Sequence, residues 1–210
     1  TQSYSITEAL ELTKKLSKTK FDSTIEVHLI MGIDPRKGDQ QVRGAISLPH
    51  GTGRQVRVAA FVSSDKEAAC KAAGADLVGG DELIAEIAKT EKTDFQVAVA
   101  EPAMMKNLAK IAKILGTRGL MPSPKNETVT TNPAKAVEEL KKGKVSFKND
   151  DTANLHAIIG KTSFETAKLA ENFQTFIDAV KKTKPASAKG SYIKKAVLSS
   201  TMGPGIKVSL

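Results

Sequence analysis

The order of strand and helix patterns changes twice along the chain, and this limits the folds that it can adopt. Two strand patterns, Thr24 to Ile33 and Val42 to Leu48, follow one another with no helix between them, which favours antiparallel pairing. From Gln55 to Leu115, strand and helix patterns alternate with short links, which indicates βαβ units around a parallel sheet. Strand patterns without this alternation return at Lys144. The predicted fold class is therefore mixed, with an α+β part and an α/β part.

The simplest architecture that fits this order has two domains, one inserted into the other. Residues 1–50 and 144–210 form a split antiparallel α+β domain, and residues 51–143 form an inserted three-layer, Rossmann-like α/β domain. Three glycines lie at the two crossings between the domains and are candidate hinges: Gly51, Gly53 and Gly143.

Helical patterns occur in both predicted domains. Ser5 and Glu8 have the spacing of a capping box at the start of a helix that runs to Thr19. A long helix is predicted from Ser163 to about Lys182, and the free N–H groups at its start are suited to bind phosphate. Within the α/β domain, we expect helices over Lys66 to Ala73, Asp81 to Lys89, Ala103 to Leu115 and Asn132 to Lys142.

The charge balance points to a polyanionic partner, either a nucleic acid or an acidic membrane surface. The formal net charge is +9 and the sequence pI is about 9.5. The split domain holds 18 Lys and Arg against 11 Asp and Glu, whereas the inserted domain holds 14 against 12. No apolar run approaches the roughly 18 residues that a membrane span needs. We therefore expect a nucleic acid, contacted mainly by the split domain, and no membrane partner.

The low aromatic content indicates which kind of nucleic acid is bound. Aromatic residues make up 4% of the chain and there is no Trp. Because binders of single-stranded RNA use aromatic side chains to stack bases, this composition favours folded or double-stranded RNA, which is recognised through phosphates, shape and 2′-hydroxyls. Cys70 is the one cysteine, so neither an internal disulfide nor a cysteine-based zinc site is expected, and a reducing, cytoplasmic setting fits.

The sequence contains no positive sign of an enzyme, a cofactor or a metal site. Gly51-Thr52-Gly53 precedes a strand, whereas the glycine fingerprint of a dinucleotide site follows one. Gly79-Gly80 does lie between a strand and a helix, but Asp81 and Glu82 open that helix and would repel phosphate. The three histidines, His28, His50 and His156, do not have the spacing of metal ligands. A nucleotide-dependent enzyme built on the α/β domain and a non-specific basic nucleic-acid-binding protein remain as alternatives.

Residues 116–125 read GTRGLMPSPK and follow a helical pattern. Gly116 and Gly119 can adopt positive φ, and the two prolines fix φ and restrict the residues before them. The segment is predicted to be a stiff, exposed loop that presents Arg118 and Lys125; as the simpler alternative, it is a helix C-cap followed by a turn. Lys106, Lys110 and Lys113 line one face of the preceding helix and lead towards this loop. Together these five cations are candidates to track a phosphate backbone, unless the lysines only form a solvated helix face.

Several blocks of the sequence resemble one family in the same order. The blocks are 20–51, 74–80, 116–125, 145–161 and 200–208, and 116–125 carries the signature G-x-R-G-L-M-P-x-P-K. The chain is similar to the ribosomal protein L-one family, in its bacterial form, although that family commonly has Pro where this chain has Thr117. The resemblance implies the same two-domain fold, and it also implies a basic leader ahead of Thr1.

The resemblance also implies a function and a set of partners. It implies a structural constituent of the large ribosomal subunit that binds the rRNA stalk, assists the exit of deacylated tRNA and represses translation of its own operon by binding the mRNA. Outside the ribosome, the protein would be a monomer.

The principal RNA-binding surface is expected on the split domain. In the block STMGP at 200–204, Thr201 can bond a 2′-hydroxyl, Met202 can pack on a sugar or base, and Gly203 allows close approach of the backbone. By resemblance, the whole surface consists of Lys20, Phe21, Thr24, Glu26, Gly160, Lys161, Ser163, Thr201, Met202 and Gly203. A place in the core is the alternative for Phe21, and Glu26 would have to bond a base or hydroxyl rather than a phosphate. His156 lies in the same neighbourhood, without an assigned role.

Overall fold

A computed structural model describes residues 3–188 and 190–209, with the exception of the Lys125 side chain. In chain order, the strands of the described residues are β1 (Thr24–Met31), β2 (Arg43–Ser47), β3 (Val58–Phe61), β4 (Leu77–Gly79), β5 (Val97–Ala100), β6 (Lys144–Lys148), β7 (Asn154–Lys161), β8 (Ile193–Ser200) and β9 (Ile206–Val208). The α-helices are α1 (Ile6–Leu16), α2 (Ser64–Ala72), α3 (Asp81–Thr90), α4 (Met105–Leu108), α5 (Ala112–Thr117), α6 (Pro133–Lys141) and α7 (Thr166–Lys182).

The chain divides into two compact units. The split unit comprises Thr1–Arg54 and Gly143–Leu210, and the inserted unit comprises Gln55–Lys142. The mixed fold class expected from the sequence is confirmed, with antiparallel and parallel sheets in one chain. No helix in the described part is both long and apolar enough to span a membrane.

An antiparallel sheet with the strand order β7-β1-β8-β9 organises the split unit. Alternate residues of β1 are buried, as the pattern Ile25, Val27, Leu29 and Met31 predicts, and they form one hydrophobic core with α1 and α7. Both helices contribute to this core, so the opposite sheet face is left open. A separate pair, β2 with β6, adds Phe147 to the same core.

The inserted unit has a parallel sheet with the order β4-β3-β5 between two hydrophobic cores. Successive residues of β3 point to opposite faces, and all four are buried. Val58 and Ala60 meet α2 and α6, whereas Ala59 and Phe61 meet the side of α3 and α5. Burial on both faces explains why this strand reads as a continuous apolar run, as is usual for parallel sheets.

Three local predictions are wrong. β1 and β2 do not pair with each other: β1 pairs with β7 and β8, and β2 pairs with β6. The segment 103–115 is not one helix, because 3₁₀ turns at Pro102–Met104 and Ala109–Ile111 interrupt it. The apolar spacing predicts which side chains are buried, but it does not distinguish 3₁₀ turns from α turns, because both bring nearly the same residues to the buried side. The long helix does not begin at Ser163, and Glu165 is its N-cap.

Candidate nucleic-acid interface

The register of the split unit's sheet brings together the strand ends that carry most of the predicted RNA-binding residues. Thr24 at the start of β1 pairs with Lys161 at the end of β7, and Ile25 pairs with Ser200 at the end of β8. Thr201 to Gly203 follow directly. We call this end of the sheet the rim, defined as Thr24, Lys161 and the segment 200–203.

Thr201 and Lys161 both bond to Thr24. The Thr201 N–H donates to the Thr24 carbonyl at 2.9 Å, and the Thr24 N–H donates to Thr201 Oγ1 at 3.2 Å. Lys161 Nζ donates to Thr24 Oγ1 at 3.0 Å. The three residues therefore form one polar cluster through the backbone and hydroxyl of Thr24. Because the Thr201 hydroxyl also ties the strand ends together, its part in the fold must be separated from any contact with RNA.

Met202 is the most unusual residue of the rim. Its φ is +62°, in the left-handed region that non-glycine residues rarely adopt, and its side chain is 89% exposed. The Gly203 N–H donates to the Ser200 carbonyl at 2.8 Å and closes a tight turn over Thr201 and Met202. A large apolar side chain is thus held out in solvent by a strained backbone.

Glycine at position 203 is required by its neighbour Ser200. A Cβ at Gly203 would lie 2.2 Å from Ser200 Oγ and 3.2 Å from the Ser200 carbonyl oxygen. Ser200 is 3% exposed, and its Oγ has no hydrogen-bond partner among the described residues. A buried hydroxyl without a partner costs free energy and tends to mark functional or strained sites. The turn therefore has two unfavourable features, at Ser200 and at Met202.

Asp22, which no sequence pattern singled out, anchors the loop after β7. Its carboxylate accepts hydrogen bonds from Thr162 Oγ1 at 2.9 Å, from the Ser163 N–H at 3.0 Å and from Ser163 Oγ at 2.8 Å. Burial raises the pKa of Asp22, but the bonds from Ser163 and Thr162 outweigh it and hold that pKa below its ordinary value. An acidic residue beside a lysine-rich site gave no sequence signal, because its partners are about 140 positions away.

The same contacts correct the role predicted for Ser163. Its N–H and hydroxyl are occupied by Asp22, and the Phe164 N–H donates to the Lys161 carbonyl. The chain therefore makes a turn at this point, and α7 begins only after Glu165. Ser163 lies exposed near the rim, but it does not offer a free helix N-terminus to phosphate.

Gly160 has a packing role. It is buried in β7, and a Cβ at this position would lie 2.6 Å from Leu169 Cδ2 and 3.2 Å from Phe164 Cδ2. Glycine thus allows α7 and the preceding turn to approach the sheet closely. Gly160 therefore lies next to the predicted surface, but it is buried and serves the packing of α7 on the sheet.

The loop before β1 contributes exposed apolar and basic groups. Phe21 is 56% exposed and is not in the core, and Lys20 beside it is also exposed. Leu16, at the end of α1, is 42% exposed. Thr19 Oγ1 donates to the Phe21 carbonyl at 3.0 Å, which holds this loop in shape. Glu26 is half-buried on the open sheet face, two residues beyond Thr24.

The second predicted set of cations belongs to the inserted unit. Lys106, Lys110 and Lys113 are exposed while Leu108 and Ile111 between them are buried, so the predicted face is present despite the broken helix. Beyond them, the Arg118 guanidinium donates to the Thr93 hydroxyl. Gly119 has a φ of +68°, but Gly116 belongs to α5 and does not adopt positive φ. The Lys125 side chain lies outside the described residues.

The candidate hinge glycines adopt backbone conformations that favour glycine. Gly51, Gly53 and Gly143 have φ values of +64°, +69° and +102°. A Cβ at Gly143 would lie 2.6 Å from the Gly51 Cα, so the two chain crossings touch. These positions require glycine for local geometry, and their role as hinges stays a prediction.

The inserted unit has a cavity of about 680 Å³ beside Gly79 and Gly80. Its lining holds one lysine, Lys71, against four acidic residues, which makes it unsuited to a phosphate; these are Glu67, Asp81, Glu82 and Glu86. Among the described residues, no group of three or more His, Cys, Asp or Glu side chains is placed to hold a metal ion. These observations do not favour the nucleotide-dependent alternative.

Comparison with known proteins identifies the family. The model of the family described as "Ribosomal protein L1p/L10e family" matches residues 13–204. The chain is 54% identical to "Large ribosomal subunit protein uL1" of Kosmotoga olearia, over 99% of this chain and 90% of the relative. It is 53% identical to the protein of that name from Kitasatospora aureofaciens and 51% identical to that from Streptomyces griseus, over 98% of this chain and 85% of each relative. The resemblance stated from the sequence is confirmed: the chain belongs to the ribosomal protein L1p/L10e family.

Proposed function

We propose that the protein is a structural constituent of the large ribosomal subunit that binds folded stalk rRNA through the rim of the split unit. It is not an enzyme, and it acts in the cytoplasm as part of the ribosome. The relatives named as large ribosomal subunit proteins support this class of function. The observation that carries the assignment of the site is Met202, an exposed apolar side chain on a strained backbone, in the same rim as Thr201 and Lys161.

The rim has the chemistry that recognition of folded RNA needs. Lys161 supplies a positive charge for phosphate, Thr201 supplies a hydroxyl with acceptor capacity for a 2′-hydroxyl, and Met202 supplies apolar surface for a sugar or base. Lys20 and Phe21 extend the surface along the loop before β1. Asp22 is a positioning residue, because it fixes the turn that follows Lys161.

The split RNA-binding domain of residues 1–50 and 144–210 makes the principal contacts, and the inserted domain of residues 51–143 makes weaker ones. These weaker contacts run through Lys106, Lys110, Lys113, Arg118 and Lys125. On the ribosome the protein assists release of deacylated tRNA from the exit site, and as a free monomer it represses translation of its own mRNA. Its two domains move about Gly51, Gly53 and Gly143.

The test is a binding titration of the protein against a stalk rRNA fragment and a scrambled duplex of equal length, at several salt concentrations. We expect tight, stalk-selective binding. Thr201→Val and Met202→Ala should each weaken it by about tenfold, since a lost buried contact costs about 1–3 kcal/mol. Thermal unfolding of both variants shows whether the rim is still folded. Equal affinity for the two RNAs with the same steep salt dependence would instead indicate only general attraction to phosphates.

A further inference from the structure

The open face of the split unit's sheet carries a pair of directly bonded histidines, His28 on β1 and His156 on β7. Their Nδ1 atoms lie 2.7 Å apart, and their rings meet edge to face with centroids at 4.9 Å. His28 Nε2 lies 2.8 Å from Ser199 Oγ, and His156 Nε2 lies 3.6 Å from Asp150 Oδ2. A chain of polar contacts thus runs across three neighbouring strands and ends at a carboxylate.

This geometry limits how many protons the histidine pair can hold. A contact of 2.7 Å between two Nδ1 atoms requires one N–H donor and one nitrogen with a free lone pair. A neutral pair meets this condition, and so does a pair with one added proton. A second added proton would place two N–H groups against each other. The geometry of the pair therefore has room for one added proton but not for two.

The two histidines of the pair have different surroundings. Burial lowers the pKa of His28, and the neighbouring His156 lowers it further, while Glu26 on the same strand opposes this. The His156 side chain is 52% exposed and faces Asp150. Hydrogen bonds from Asn154 and Thr152 outweigh the effect of burial and lower the pKa of Asp150 to about 2, so this group is an anion at neutral pH.

The histidine pair lies on the same sheet face as the rim. Every second residue of β1 lies on this face, namely Thr24, Glu26 and His28. A rise of about 3.3 Å per residue places His28 roughly 13 Å from Thr24. Among the described residues, the other charged groups at this face, besides Glu26 and Asp150, include Lys161 at the end of β7, Lys195 on β8 and Lys207 on β9. Since α1 and α7 pack against the opposite face, a large ligand can lie along this one without displacing any helix.

We propose that the RNA-binding surface extends from the rim along the open face to the histidine pair, and that RNA binding is coupled to uptake of one proton by this pair. The proposal rests on the function proposed above. An RNA phosphate near the exposed ring stabilises the protonated pair, and so raises its pKa in the complex. The added affinity is fully present below the pKa of the free pair and is lost as the pH rises through the pKa of the bound pair.

The experiment measures the affinity for the stalk rRNA fragment between about pH 6 and about pH 8 at constant ionic strength, around the ordinary range of histidine titration. The variants are His156→Gln and His28→Gln. His50→Gln is the matched control, because His50 bonds Glu171 and lies away from the open face. Calorimetry of the wild-type protein in two buffers of different ionisation enthalpy counts the protons taken up, and needs no variant. Thermal unfolding of each variant checks its fold.

We expect wild-type affinity to rise at least about threefold from about pH 8 to about pH 6, which corresponds to an average uptake of roughly a quarter of a proton. His50→Gln should keep this dependence, and His156→Gln should lose it. Binding of the wild-type protein without proton uptake overturns the coupling and leaves the proposed function intact. Proton uptake that persists in folded His156→Gln and His28→Gln also overturns it. Failure of the wild-type protein to bind the fragment at any pH would instead refute the proposed function.

Discussion

Met202→Gly should separate what the rim does for RNA from what it does for the fold. Met202 has a φ of +62° and is 89% exposed, so its side chain does little for packing and its backbone is strained. The left-handed conformation costs a non-glycine residue about 1–2 kcal/mol. Glycine relieves this cost, but it loses about 0.4–1 kcal/mol more chain entropy on folding. The free energy of unfolding should therefore stay unchanged or rise by about 1 kcal/mol.

The effect of Met202→Gly on RNA binding should have the opposite sign. Full burial of a methionine side chain contributes about 1.5–3 kcal/mol, and about 1.4 kcal/mol is a tenfold change in affinity. We expect affinity for the stalk rRNA fragment to fall about tenfold or more, measured by titration at fixed salt. Chemical denaturation of the same preparation gives the free energy of unfolding.

Glu91→Gly is the matched control for this experiment. Glu91 has a φ of +54° at the C-terminal end of α3, in the inserted unit, so it carries the same kind of backbone strain away from the rim. This variant should gain stability without losing affinity. If Met202→Gly lowered stability by more than about 1 kcal/mol while affinity stayed constant, Met202 would serve the fold and the reasoning would be refuted.

Three further predictions concern the support of the rim and the start of the chain. Asp22→Asn should weaken RNA binding several-fold, because the turn at Ser163 loses its anchor. The pKa of Asp22 is lowered in the folded protein, so its stabilising effect is present above the ordinary carboxyl pKa and is lost as the pH falls through the pKa of the folded state. The free energies of unfolding of the wild-type protein and the variant should therefore converge in acid. Gly160→Ala should lower the free energy of unfolding by about 1–3 kcal/mol through overpacking against Leu169, as measured by denaturation, and an unchanged stability would contradict the packing role. Ser5→Ala should lower it by about 1 kcal/mol and leave RNA affinity unchanged, because it removes only the capping box of α1.

Periodicity in the sequence was enough to predict the sheet strands and what they bury. The alternation of Ile25, Val27, Leu29 and Met31 fixed one face of β1, and the structure buries all four. The capping box at Ser5 also fixed the start of α1, and both of its hydrogen bonds are present. These features depend on neighbours within a few residues, which is the range over which sequence patterns carry information.

Strand pairing and helix boundaries depended on partners far away in the chain. The absence of a helix between β1 and β2 suggested that they pair, but β1 is completed by β7 and β8 from the other end of the chain. Likewise, α7 begins late because Asp22 binds the Ser163 backbone and hydroxyl from about 140 positions away. No local pattern contains this information, so the start of the helix was placed too early.

For the candidate site, the sequence predicted which residues lie close together, but not what each of them does for the fold. Lys161, Thr201 and Met202 do meet at one end of the sheet, but Thr201 also closes the strands, and Gly160 is required by packing against Leu169. Glycine and threonine serve both the fold and ligands, so their residue type could not distinguish the two roles. An exposed methionine has fewer structural uses, and its role is correspondingly easier to assign.

The position of strain in the chain supports the rim as the functional surface. Four described non-glycine residues have positive φ, and three of them have local explanations. Glu91 ends α3, and Glu127 and Ala153 close turns through backbone hydrogen bonds to Pro124 and Asp150. Met202 also lies in a turn, but of these four residues it alone exposes a large apolar side chain, two positions after a buried serine hydroxyl that has no described partner. A fold gains nothing from either feature, whereas a surface that packs against a ligand gains from a side chain already held in place.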